Sequence, residues 1–488
     1  MRTAPSSRRA ICAGACALAV SACGGGGGGG ATPSLRIPPA ATPAPHVDWP
    51  TFGYDAQRTG HNPNEIVLSA KNVGGLRLRW SFASGGAIVA QPVVAANVAA
   101  GGTTTDLLYV GNEAGTFFAL DAASGAPVWR EQLGVVSNAC GDLPSWGITS
   151  TAVVGRAPPA VYVVDGAGVV HALDLAAGRA IPGWPSPPAI VENPQLEYAY
   201  SALALATGGI LYGTSAGYCD NGTYFGSIVA LGAANGVRRS RWTPERAPNW
   251  GSGMWGAGGV VADPRPGVRD VYVTTGNGFP SEGATYSDAV IRLTAGLTPV
   301  AVSSLWNPAL QDDDFGANAV TFVAPGCPPQ LAVEQKSGTL DLFDLDAIGG
   351  GPVQQIAIGA TTNQGYNVNA ASWDPVSGTL LIANGSPNGV YAEGLLAFVP
   401  ALCKLQPLWQ APLGASAQPS PLSQPVVADG VVYYATGLQK TVAAFDVRTG
   451  QALWTSPAFR APVFAAPTVV NGMLYAASLD GTVAAFGL

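Results

Sequence analysis

Charge is scarce in this chain. Only 11% of its 488 residues are Asp, Glu, Lys or Arg, against about 25% in an average soluble protein. Lysine occurs only at Lys71, Lys336, Lys404 and Lys440, and the formal net charge is −7. Nucleic-acid binding needs a basic footprint, so nucleic acid is excluded as a partner. The histidines, His46, His61 and His171, lack the short spacing that puts two imidazoles on one metal. There is no Walker loop or H-E-x-x-H, and no C-x-x-C-H, so covalently held c-type haem is not expected. No apolar run is long enough to cross a bilayer. Glycine and proline are abundant instead, at 64 and 40 residues. Both break helices, so a helical protein is excluded. The 48% apolar content is ample for a large core.

The first residues read as an address and not as part of the fold. Arg2, Arg8 and Arg9 precede the apolar stretch 10–20, which is too short for a stable anchor. It ends in Val20-Ser21-Ala22-Cys23, which resembles a bacterial lipobox. The resemblance implies a signal peptide at residues 1–22 and lipidation of Cys23. Residues 23–48, opening with Gly24 to Gly30, then form a flexible tether. The expected location is the cell envelope, on the outer membrane facing the periplasm, with membrane contact only through the lipid. An exported chain permits disulfides. Of three possible pairings among Cys140, Cys219, Cys327 and Cys403, Cys140–Cys219 and Cys327–Cys403 are favoured, because each staples neighbouring repeats.

A unit of about 50 residues repeats along the chain, a period typical of solenoids and propellers. Its clearest copy is Leu108-Tyr109-Val110-Gly111, then Gly115 to Asp121, then Gly125 and Trp129. Apolar and β-branched strands alternate with Gly or Asp-x-x-Ser-Gly turns. The last copy stops at Leu488 without a final strand, while Leu76-Arg77-Leu78-Arg79-Trp80 has the form of one. Pairing of the two would close a ring and leave no edge exposed. The expected fold is all-β: an eight-bladed β-propeller of four-stranded antiparallel blades, spanning residues 49–488. Trp80, Trp129, Trp184, Trp242, Trp306, Trp409 and Trp454 should wedge between blades; the fifth copy lacks its Trp.

The spacing Asp121/Gly125/Trp129, repeated as Asp446/Gly450/Trp454, resembles the tryptophan-docking motif of pyrroloquinoline quinone (PQQ) repeat proteins. The opening Asp48 to Gly53, followed by Arg58-Thr59-Gly60, is similar to the start of that superfamily. Its quinoprotein alcohol dehydrogenases hold PQQ and calcium on the propeller axis, and the resemblance implies counterparts here. Trp255, among Gly251, Gly253 and Gly256, is similar to the Trp that stacks on the quinone. Asn277 in Gly276-Asn277-Gly278 resembles a calcium-ligating Asn, whose amide oxygen suits a hard cation. Asp314, at the end of Asp312-Asp313-Asp314, falls at the place of the catalytic base and calcium ligand. Lys336 looks like the cation that holds the quinone oxygens. The pattern also departs from the family. Cys140-Gly141 stands where two adjacent Cys are usual, Trp146 where an Arg is frequent beside the cofactor, and Asp220 is the nearest carboxylate to a missing third-blade Glu. The implied activity is oxidation of an alcohol or polyol, with electrons passing to a separate acceptor. The alternative is a non-catalytic propeller that binds envelope proteins, resembling the outer-membrane assembly factor BamB.

Overall fold

The computed structural model describes residues 45–488, except 138–142, 144, 185–187, 281–284, 308–311, 361–368 and 415–419. Eight small antiparallel sheets are arranged as blades: 93–132, 153–173, 204–242, 261–304, 320–357, 372–412, 426–455, and 468–487 with 77–83. These are blades 1 to 8, and the expected eight-bladed propeller is the fold. The ring closes as the sequence predicts. Arg77–Ala83 forms the outer strand of blade 8, with Leu78 opposite Phe486 and Trp80 opposite Ala485. One blade differs from expectation. Blade 2 has three strands, and an isolated bridge from Leu173 to Ala180 stands where a fourth would pair.

Local chemistry explains the repeat. In blade 1, the Asp121 carboxylate accepts bonds from Ser124 N at 2.9 Å and from the Thr105 hydroxyl at 2.6 Å. The turn then needs a left-handed residue, and Gly125 supplies φ +73°. The same glycine makes room for the previous blade. A Cβ on Gly125 would lie 2.5 Å from the Trp80 ring, and Trp80 Nε1 donates to Ala122 O at 3.1 Å. Each indole thus buries its ring on a turn and satisfies one of that turn's carbonyls. Trp129 does this to Gly178 and Leu175 in blade 2, and Trp409 to Gly450 and Val447 in blade 7. Trp184 packs on Gly236 of blade 3, and Trp454 donates to Leu76 O of blade 8.

Two expected wedges depart from this pattern. Trp242 meets Tyr286 edge-on at 5.2 Å, and the half-buried Trp306 has no docking turn among the described residues. Where blade 5 lacks a Trp, other bonds close the seam to blade 6. The expected Cys327–Cys403 disulfide joins them, and Gln354 both donates to Leu405 O and accepts from Leu405 N, at 2.9 and 2.6 Å. Cys140, of the other expected pair, lies outside the described residues, as do Cys23 and residues 1–44.

Residues 49–62 run round the hub and touch the innermost strand of each blade in order. Trp49 and Val94 of blade 1 exchange backbone bonds, and Pro50 O accepts from Val154 N of blade 2. The Thr51 hydroxyl donates to Leu203 O beside blade 3. The carbonyls of Ala56, Gln57, Thr59 and Gly60 accept from Ala262, Thr321, Trp373 and Val427 of blades 4 to 7. Asn62 Nδ2 closes the circuit on Val469 O of blade 8. Arg58 is fully buried inside this girdle, bonded to Thr51 Oγ1, Phe52 O and Leu203 O. Its Phe52 ring forms part of the floor of an axial cavity.

Candidate functional site

Five of the six residues predicted for the cofactor and metal come together. They belong to two kinds of loop that open on the same end of a propeller. Asp220 follows the second strand of blade 3, Asn277 that of blade 4 and Lys336 that of blade 5. Trp255 and Asp314 precede the first strands of blades 4 and 5. Asp314 is the centre. Its Oδ2 accepts from Trp255 Nε1 at 3.0 Å and from Lys336 Nζ at 2.9 Å, and its Oδ1 accepts from Asn277 N at 2.6 Å. Lys336 also donates to Asp312 at 2.6 Å, and its ammonium lies 5.0 Å from the Trp255 ring centroid, within cation–π range. Asn277 Nδ2 reaches Asp220 Oδ2 at 3.3 Å, and the Tyr224 hydroxyl fixes the other oxygen of Asp220 at 2.7 Å.

The glycine of Gly276-Asn277-Gly278 has a steric reason. A Cβ on Gly276 would lie 2.4 Å from Asp314 Oδ1, so only glycine lets the two loops close on each other. Trp255 and Lys336 line a cavity of about 330 Å³ whose wall also includes Tyr200, Asn318 and Phe52.

Carboxylates outnumber cations here, and the electrostatics record it. Burial opposes the Lys336 charge, but Asp314 and Asp312 outweigh it and hold the ammonium above its ordinary value. Burial, then Asp314, raises Asp312; burial raises Asp313 against bonds from Ser337. Sequence reasoning missed Asp288. It is buried, left-handed at φ +45°, and one carboxyl oxygen has no partner among the described residues. Burial and then Asp314 push it up to about 8. No motif marks it; only its fold-dependent proximity to Asp314 does.

Trp146, expected beside the cofactor, is not bonded into the Asp314 cluster. Its ring packs on Tyr198 and Tyr218, with centroids 5.0 and 5.7 Å away. Among the described residues, no group of three or more His, Cys, Asp or Glu is placed to hold a metal by itself. The expected set of Asp220, Asn277 and Asp314 consists of two carboxylates and an amide.

Fold, repeat and docking motif together define the class: the chain is a PQQ-repeat β-propeller. The family described as the β-propeller domain of glucose/ethanol/alcohol dehydrogenase matches residues 49–191. The family described as outer membrane protein assembly factor BamB matches residues 406–487. A polyvinylalcohol dehydrogenase from Pseudomonas sp is 24% identical over 492 residues, covering 92% of this chain and 67% of the relative. Among solved structures, a europium-containing methanol dehydrogenase superposes with TM-score 0.68 at 15% identity, covering 91% of this chain and 98% of that one. BamB from Moraxella catarrhalis gives TM-score 0.54 at 15% identity, covering 85% and 100%. These structural likenesses concern the fold.

Proposed function

We propose that this chain is a quinoprotein dehydrogenase that oxidises an alcohol or polyol, with PQQ and calcium on the propeller axis. One observation carries the reading. Trp255, Asn277, Asp314 and Lys336, spread over 82 positions, converge into one hydrogen-bonded cluster beside an axial cavity. The named relative, a polyvinylalcohol dehydrogenase, supports the same chemistry.

The residues suit the two groups. The excess of carboxylate over ammonium, with an orphaned oxygen on buried Asp288, favours a cation, and the oxygen donors of Asp220, Asn277 and Asp314 suit calcium. The Trp255 indole and the Lys336 ammonium face one cavity, offering an aromatic surface and a positive charge to a flat, oxygen-rich quinone. Bound there, PQQ supplies the two-electron acceptor and calcium the Lewis acidity.

The chain's own residues do the rest. Asp314 Oδ1 accepts one bond and so keeps a lone pair for a hydroxyl proton. The Trp255 and Lys336 bonds fix the orientation of that carboxylate, and its burial keeps bulk water from competing. Lys336 stabilises negative charge arising on the oxidant side of the reaction. Electrons leave to a separate acceptor. Cys23 carries a lipid and residues 23–48 tether the propeller to the outer membrane, facing the periplasm.

The test is reconstitution of purified protein with PQQ and calcium chloride, followed by cofactor absorbance and by dye reduction with a panel of alcohols. The parent should turn over, and Asp314→Asn should lose about 10²- to 10⁴-fold, the usual worth of a general base. Equal, negligible signal from both proteins rejects the enzyme. It would leave the second reading, an envelope scaffold that binds proteins, which the BamB-type match over residues 406–487 favours. Co-purification with envelope proteins would then be expected.

A further inference from the structure

Three buried polar atoms near the cluster lack any partner among the described residues: Glu113 Oε1, Trp146 Nε1 and Tyr218 OH. Such orphans are rare in folded proteins, because each forfeits its hydration without replacement. These three belong to one small region. Glu113 Oε2 accepts from Gly147 N at 2.8 Å, next in sequence to Trp146, and from the Thr149 hydroxyl at 3.0 Å. Those bonds hold the carboxyl in place while its second oxygen stays buried and unbonded. The Trp146 ring packs on Tyr218, and Tyr198 stacks on Tyr218 at 4.7 Å and 19° and on Tyr200 at 6.1 Å and 16°. Tyr200 also lines the axial cavity with Trp255 and Lys336, so the aromatic wall runs up to the Asp314 cluster.

We infer that Glu113, Trp146 and Tyr218 recognise the neutral, hydroxyl-bearing part of the substrate. The inference rests on the proposed oxidation of an alcohol, and it moves Trp146 from the cofactor to the substrate. A hydroxyl both donates and accepts, so a chain of hydroxyls satisfies one acceptor and two donors where an anion or a cation does not. Stacked rings offer an apolar surface to the carbon backbone of such a chain. Burial pushes the Glu113 carboxyl up to about 7, against the Gly147 and Thr149 bonds, and no cation contributes. Among the described residues an anionic ligand therefore finds no positive partner beside Glu113, and a carboxyl that opposes it when ionised.

The test is calorimetric titration of the full chain, without added PQQ or calcium, using sorbitol, short poly(vinyl alcohol) and sodium gluconate. The neutral polyols should bind, and gluconate should bind at least about tenfold more weakly, a difference of about 1.4 kcal/mol. Tyr218→Phe, which keeps the ring and removes one donor, should weaken polyol binding about tenfold with unchanged melting; Trp146→Phe, which removes a donor and part of the ring, should weaken it at least as much. Glu113→Gln should weaken polyol binding by a similar factor; if it does not fold, the two Phe variants decide. Gluconate binding as tightly as sorbitol, Phe variants that titrate like the parent, or no binding heat at all (trapped water alone fills the site) would overturn the assignment. Because no cofactor is present, polyol binding without dye reduction in the reconstituted protein rejects the dehydrogenase and not this wall. Turnover without the expected binding pattern rejects only the wall.

Discussion

The ring has two unlike arcs. From blade 6 through blade 8 to blade 3, an indole bridges every seam: Trp409, Trp454, Trp80, Trp129 and Trp184. From blade 3 to blade 6 the device lapses. Trp242 meets a tyrosine edge, Trp306 finds no docking turn among the described residues, and a disulfide with a glutamine closes the last seam. Asp220, Trp255, Asn277, Asp314 and Lys336 all stand on this second arc. Local rules are commonly relaxed where function is built. Here the repeat is regular where it only has to hold the ring, and irregular where loops must bring like charges together.

The largest effect should come from filling a docking turn. Gly178 is left-handed at φ +70°, and its Cβ would lie 2.7 Å from Trp129. Gly178→Ala combines backbone strain with overpacking and should cost about 2–4 kcal/mol in chemical denaturation. Gly296, in a turn of blade 4 on the second arc, would place a Cβ no closer than 3.8 Å to anything but its neighbours. Gly296→Ala should change stability by less than about 0.5 kcal/mol. Equal costs at both sites would erase the distinction between the arcs.

A smaller contrast lies in the indoles. Trp129→Phe removes the bond to Leu175 O and part of the packed ring, and should cost about 1–2 kcal/mol. Trp306→Phe removes no described hydrogen bond of the indole and should stay within about 0.5 kcal/mol by the same measurement. A large loss at Trp306 would mean that the blade 4–5 seam has a dock after all.

Much of the first arc is legible in sequence because its chemistry is local. Asp121, Gly125 and Trp129 mark turn, close approach and wedge within nine positions, and the stray strand before Trp80 announces the closure. The axial cluster is legible only through resemblance. Nothing in Gly276-Asn277-Gly278 distinguishes a hairpin turn from a loop pressed against a carboxylate 37 positions away. The girdle of residues 49–62 is invisible for a related reason. Its partners are the backbones of eight blades, and backbone pairing leaves little trace in side-chain pattern. Glu113, Asp288 and Tyr218 escape notice because burial, which gives them their character, is a property of the ring and not of their neighbours in sequence.

The dependence of stability on pH tests whether both arcs bury acid at a cost. Glu113 stands in blade 1 and Asp341 in blade 5, and burial pushes each up to about 7. In the unfolded chain such groups titrate near 4. Between about pH 4 and 7 the native state therefore holds more protons than the unfolded state, and stability falls as pH rises through that window. Each carboxyl contributes at most about 1.4 kcal/mol per pH unit to the slope. Denaturation midpoints measured from pH 5 to 8.5, with a chelator present, should decline with pH. Glu113→Gln and Asp341→Asn should each flatten the decline, and the double variant should flatten it by the sum, since the two sites lie on different blades and share no partner. A midpoint that rises across this range would show that neither acid is buried as described. Flattening by one variant alone would place the burden on one arc.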